Sequence, residues 1–309
     1  MRKIIFALIV IAFTGCKYDD EYLDPSLDTI AYFASFENHS RTVVVGEGLN
    51  FKVGVAMAGE LTNTEDRTVD FMIYQSGLAF EEEDDLRELM PTSFYNADEL
   101  SGTFQTIIPK GEFLGFFDVV MDSVAFLSDP LSLDGTYTLP VKILATSLDS
   151  IGKDSVNISV KYMCGVDGYY LFDESVIRRE IEGTVLEDKT TTEEYKNESD
   201  DSAWRLATLA PFQVEATGAT TSFNGGLKFN ITVQDGNVSL QSIEGEPVVE
   251  ADGENTYDSS TRDFMLNFKY QKPEVGNDTI YHVSTKLVFR NRVRDGVNET
   301  RDYLSYFNN

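Results

Sequence analysis

The chain has 309 residues, 52 of them acidic against 25 basic, for a formal net charge of −27. A surface this acidic repels phosphate backbones and anionic headgroups, which argues against nucleic acid as a partner and against electrostatic binding to anionic lipid. With 42% hydrophobic and 12% aromatic residues the chain can bury real cores, and its length suits two domains of ordinary size.

The chain opens with a positively charged pair, Arg2 and Lys3, and an apolar run over residues 4–13. That run has the length of a signal-peptide core and is too short to span a bilayer as a helix. Thr14-Gly15-Cys16 follows and resembles a bacterial lipobox, with Phe13 where leucine is usual. The resemblance implies cleavage of residues 1–15 and a diacylglycerol on the Cys16 thiol. Lys17, Asp19, Asp20 and Glu21 resemble the short acidic export signal of Bacteroidetes surface lipoproteins. Together they imply a lipid anchor in an outer membrane, with the protein facing the cell exterior. Residues 16–27, acidic and carrying Pro25, read as a tether. Cys164 is then the one thiol left, which leaves no intrachain disulfide or cysteine metal site; it reads as a small buried hydrophobe.

From Thr29 the pattern is β. Residues 30–33, 42–45, 49–57 and 68–74 are rich in β-branched and aromatic side chains with partial alternation. Gly46 and Gly48 mark the turn before the third. Glu81-Glu82-Glu83-Asp84-Asp85 interrupts the pattern. This block suits a solvated insertion or the start of a short helix through Met90, and it lacks the spaced Asp, Asn and Gly of a calcium loop. Strands resume over residues 103–108 and 113–121 around the turn Pro109-Lys110-Gly111-Glu112, then over 137–148 and 155–163. Short strands with frequent turns predict an immunoglobulin-like β-sandwich over residues 28–163.

The strings Ile108-Pro109-Lys110-Gly111 and Tyr137-Thr138-Leu139-Pro140-Val141-Lys142-Ile143, after Tyr32-Phe33, carry a resemblance. They look like the N-terminal domain of unknown function of Bacteroidetes lipoproteins encoded beside starch-utilisation-type (SusC/SusD) glycan importers, a domain also found ahead of family-18 endoglycosidases. The resemblance implies a sandwich without catalytic duty. The boundary falls at Cys164-Gly165-Val166-Asp167-Gly168, and residues 165–309 form the second domain. It opens with Gly168-Tyr169-Tyr170. Residues 227–233 and 238–243 flank an Asp235-Gly236 hairpin turn, 264–270 and 280–289 follow, and Asp295-Gly296 turns into 299–303. This meander predicts a lipocalin-like barrel or a strongly curved antiparallel sheet. Its opening and the string Val288-Phe289-Arg290-Asn291-Arg292 resemble the usual C-terminal partner of the same lipoproteins.

Catalytic motifs are missing. The sequence has no nucleophile elbow, no phosphate-binding glycine loop and no His-Glu-x-x-His. His39 and His282 lie in different halves, so no metal and no cofactor is expected. The Asp-x-x-Asp-x-Asp-x-Glu string of family-18 glycosidases is also absent, so the chain reads as a binding protein and not an enzyme. Trp204 and Arg205 follow the polar run 195–202; a loop tryptophan offers a face for a sugar ring, with the core as the competing place for it. Arg290, Arg292 and Arg294 alternate on one strand face, either to read acidic sugars or to pair with local acids. Tyr257 sits with Asp252, Glu254 and Asp258 in a polar loop. Trp204, Arg205, Tyr257 and Arg292 are the expected carbohydrate contacts, in a surface protein that captures glycan for a neighbouring SusC/SusD-type importer or glycosidase. The competing readings are a scaffold or adhesion protein with protein partners, and an uncharacterised glycosidase.

Overall fold

The computed structural model of the chain describes residues 28–34, 38–74, 87–186, 190–191, 203–218, 227–274 and 277–301. Cys16, Lys17, Asp19, Asp20 and Glu21, the acidic block 81–85 and the run 195–202 lie outside the described residues. The fold is all-β. Its first part contains β1 (Ile30–Tyr32), β2 (Asn38–Val44), β3 (Asn50–Ala58), β4 (Arg67–Ile73), β5 (Glu88–Leu89), β6 (Thr103–Ile108), β7 (Leu114–Val120), β8 (Tyr137–Thr146), β9 (Ser150–Ile151) and β10 (Ser155–Met163). One sheet runs β7-β3-β1-β9 and the other β2-β10-β8-β4-β6, with β5 paired to β8. Alternation builds the sandwich: Val156, Ile158, Val160 and Tyr162 of β10 turn inward and their neighbours outward. At its centre Phe71 meets the rings of Phe33, Phe104 and Phe117 at centroid distances of 6.0, 5.7 and 5.1 Å. Residues 88–89, which the short-helix alternative through Met90 would include, pair in parallel with Tyr137 and Thr138. The tertiary pairing satisfies their backbone groups, which a short isolated helix could not do.

The second part comprises β11 (Gly168–Ile181), β12 (Thr184–Leu186), β13 (Thr190–Thr191), β14 (Trp204–Ala210), β15 (Gln213–Thr217), β16 (Lys228–Gln234), β17 (Asn237–Ser242), β18 (Val249–Ala251), β19 (Thr256–Asp258), β20 (Asp263–Glu274), β21 (Asn277–Arg294) and β22 (Val297–Thr300). The main path is antiparallel, β17-β16-β15-β14-β11-β21-β20-β18. Its two ends meet: the Ser242 hydroxyl donates to the Val249 carbonyl at 3.0 Å and accepts from the Val249 N–H at 2.9 Å. The meander therefore curls into a barrel with one seam held by a side chain. Asp235-Gly236 and Asp295-Gly296 have φ of 51°, 79°, 49° and 80°, the left-handed pair that a two-residue hairpin turn needs. Trp204, Phe229, Phe264, Phe268, Leu287 and Phe289 fill the interior, as expected for a barrel of this strand number.

The two parts meet in a charged clasp. The turn after β2 carries Gly46 and Gly48 at φ of 89° and 81°, a backbone open to glycine at little cost. Between them Glu47 reaches the end of the barrel. Its carboxylate takes both Nη atoms of Arg292, at 2.9 and 2.6 Å, and also pairs with Arg262. Arg292 is fully buried and its Nε donates to the buried Glu299. Beside it the Asp295 carboxylate accepts from the Thr42 N–H and hydroxyl at 2.9 and 2.7 Å. The connection between the parts is also fixed. Asp167 holds Thr208 through its N–H and hydroxyl at 2.8 and 2.6 Å, and the Cys164 N–H donates to the same hydroxyl at 3.1 Å. Cys164 is buried, which pushes its thiol up to about 11.

Two separate apolar clusters lead to a prediction. Fragments 28–163 and 165–309 should each unfold cooperatively. The second should melt lower than it does in the intact chain, because Arg292 and Arg262 lose Glu47. Calorimetry of the fragments and the whole decides it; a barrel fragment as stable as in the intact chain would remove any energetic role for the clasp.

Candidate functional site

The expected carbohydrate contacts do not form a site. Trp204 begins β14 and is 0% exposed. Its ring meets the edges of Phe229 and Phe268 at 5.8 and 6.5 Å. A ring with no solvent face cannot stack on a sugar, so the stacking role expected of Trp204 is corrected to a core role. Arg292, also 0% exposed, is corrected likewise: its donors are used by Glu47 and Glu299, and burial of so strong a cation demands such partners. Tyr257 is half-buried, its ring 4.7 Å from that of Phe264, and burial pushes its hydroxyl up to about 12. Arg205 reaches the surface, but lies over Tyr169 at 5.1 Å and pairs with Asp167 at 2.7 Å. It anchors the linker to β14. Register explains the outcome: pairing of Trp204 with Tyr170 places both on the inner face, and residue 204 carries no local mark of that pairing.

The outer face of β11, β21 and β20 brings another set together. Arg178 pairs across to His282, and His282 to Lys269, so all three side chains share one face. Val176, Arg178, Asp252, Asn267, His282, Val283 and Ser284 line an open depression of about 320 Å³. His282 Nδ1 lies 2.7 Å from Asp252 and Nε2 2.9 Å from Glu180. The hydrogen bond to Asp252, then that to Glu180, raises its pKa above the ordinary value, and partial burial opposes them. The imidazolium form donates to both carboxylates at once. Asn267 is held by Ser284, whose hydroxyl donates to its side-chain oxygen at 2.7 Å, and it donates to the Glu254 carbonyl at 2.6 Å. Lys269 pairs with Glu250 at 3.0 Å. Arg178 is exposed and forms no ion pair among the described residues. In the sequence His282 is an isolated histidine that alternates with Ser284, and its partners are 30 and 102 residues away.

A second concavity, about 270 Å³, opens where the two parts meet and is lined by Arg41, Thr42, Asn50, Phe51, Arg294, Asp295, Val297 and Glu299. Among the described residues no group of three or more His, Cys, Asp or Glu is disposed to hold a metal ion, and no helix is long and apolar enough to cross a membrane.

Comparisons with known proteins bear on the fold. Residues 25–150 match a family model described as a "-like, N-terminal domain". No curated protein matches the chain. A crystal structure of a structural-genomics protein of unknown function from Bacteroides ovatus superposes with a TM-score of 0.63 at 18% identity, covering 89% of this chain and 98% of that one. The chain shares its fold with a Bacteroides protein of unknown function. Another Bacteroides ovatus protein of unknown function, and a multidomain protein including DUF1735 from the same organism, give TM-scores of 0.38 and 0.37. Both are 12% identical over 87% of this chain, and 97% and 96% of their own lengths are covered. The 0.63 match carries the fold assignment, and it is to the whole two-part arrangement.

Two outcomes follow from this geometry. Trp204→Ala should cost about 3–5 kcal/mol of stability, as for other buried aromatic truncations, read as a large fall in melting temperature. His282 holds its proton more tightly folded than unfolded. Its contribution is therefore complete below the unfolded value of about 6.5 and is lost as pH rises through the higher folded value. The stability advantage of the native chain over His282→Gln should shrink from mildly acidic to mildly alkaline pH; an advantage independent of pH would contradict the assignment.

Proposed function

We propose that this chain is a lipid-anchored surface protein, tethered through Cys16 on the exterior of an outer membrane, that binds glycan for a neighbouring importer or glycosidase. The observation that carries the binding role is the depression around His282. Arg178, Asn267, Ser284, Asp252 and His282 present donors and acceptors around the apolar Val176. A sugar edge is read by such planar polar groups placed on rigid strands. The barrel interior is filled with side chains, which supports a site on the outer face. The nearest acid pair, Glu180 and Asp252, shares one imidazole between its carboxylates. That arrangement supports binding without chemistry, since paired glycosidase acids need the space between them for substrate and water. The signal-length leader and lipobox-like Cys16 supply the compartment.

Glycan-array screening of the soluble chain from Asp19 onward tests this reading. Reproducible binding is expected, and Arg178→Ala should weaken it about tenfold or more, about 1.4 kcal/mol, with an unchanged melting temperature. Failure to bind any glycan would overturn it. A scaffold role is favoured instead by one feature, the exposed apolar side chains Ile107, Leu114, Phe116 and Val120 on β6 and β7. Binding to an importer subunit without any sugar binding would select that reading.

A further inference from the structure

The crevice between sandwich and barrel differs in its chemistry from the His282 depression. Its two acids are already engaged. Both Asp295 oxygens accept from Thr42. Glu299 is 1% exposed and takes Arg292 on one oxygen and Arg294 on the other, the latter at 2.5 Å. Arg41 of β2 is half-buried and donates only to the Ser40 carbonyl, at 3.3 Å. No carboxylate among the described residues lies within ion-pair reach of it. In a chain with 52 acids and 25 bases, a guanidinium left without a carboxylate partner is open to an added one. Arg294 uses one Nη on Glu299 and remains 33% exposed, and Asn50 is exposed at the rim. On the same strand His39 is lowered from its ordinary pKa, first by burial and then by Arg41 and Lys153, with Asp295 opposing.

We propose that this crevice binds a carboxylate-bearing sugar: Arg41 takes the carboxylate through its planar fork, and Arg294 and Asn50 take ring or linkage oxygens. Arginine suits this task because two parallel N–H groups match the two carboxylate oxygens. A volume of about 270 Å³ is just under the ~300–1,000 Å³ of drug-sized sites, so it holds one ring-sized unit of a longer chain. Arg41 and Asn50 come from the sandwich and Arg294 from the barrel, so an occupant bridges the two parts beside the Glu47 clasp. The inference rests on the glycan-binding reading and names the sugar class at a second site.

The test is calorimetric titration of the intact soluble chain with hexagalacturonate, maltohexaose and dextran sulfate at fixed ionic strength. Hexagalacturonate should bind, and Arg41→Gln should weaken it at least tenfold with the melting temperature unchanged. Arg41→Lys, which keeps the charge and loses the fork, should fall between. Arg178→Ala should leave this affinity intact. If Arg41→Gln is unstable, competition on the native chain decides: free galacturonate should displace hexagalacturonate and free galactose should not. Hexagalacturonate binding that survives Arg41→Gln, or that fails while maltohexaose binds, overturns the inference and leaves the glycan reading standing. Equal binding of dextran sulfate overturns the carboxylate assignment. Absence of binding to any of these and to the glycan array brings down both.

Discussion

The ion pair between Glu47 and Arg292 is the contact on which the arrangement of this molecule depends. Arg292 has no exposure to solvent, and a guanidinium cannot shed its proton to escape burial. It must therefore be surrounded by acid. The barrel supplies Glu299, itself 1% exposed, and the sandwich supplies Glu47. Burial acts against both charges, yet the pairing wins: Glu47 is held below the usual carboxylate value by Arg292 and then Arg262 in spite of desolvation. Arg292 is raised by Glu47 and then Glu299, again against desolvation. Removing either acid would leave the buried cation with one carboxylate where it has two, which is more costly than the small net gain of forming the pair. The contact thus specifies how the parts dock more than it stabilises them.

This docking determines which concave surfaces the two parts present. The barrel has the outline of a ligand carrier, but among the described residues Trp204 and the phenylalanines around it pack into its interior. The end nearest the sandwich is closed by the clasp. Among the described residues two concavities lie outside the barrel interior: one on the outer face of β11, β20 and β21, which sets Arg178, His282 and Asn267 side by side, and the crevice that docking itself creates. Each is open to solvent and lined by polar side chains beside apolar ones.

Sandwich strands β6 and β10 match the sequence reading to the residue, and the other longer strands shift by a few residues at most, with β2 extending furthest. Local alternation and turn glycines carry that information, because a strand's inward face is written every second residue. In the second half the Asp-Gly turns mark β16, β17 and the end of β21, while β14 and β15 carry no such mark and β20 and β21 run several residues beyond their legible cores. The two-residue strands β5 and β9 were not visible, since so few residues hold no period. Nor was the full length of β11, where a register shift between Phe172 and Ser175 breaks the alternation.

The site residues divide along the same line. The sequence by itself determined an acidic all-β chain and its turns, because composition, alternation and backbone preference are local properties. Only the tertiary structure decided that Trp204 faces the core and that Arg292 is spent on Glu47, 245 residues away. The same is true of His282, which sits between acids from two other strands' ends. A strand residue's face depends on register against partners far along the chain, and slipping by one residue exchanges inside for outside. An arginine or tryptophan therefore reads the same in a line of letters whether it awaits a ligand or has already been paired by the fold.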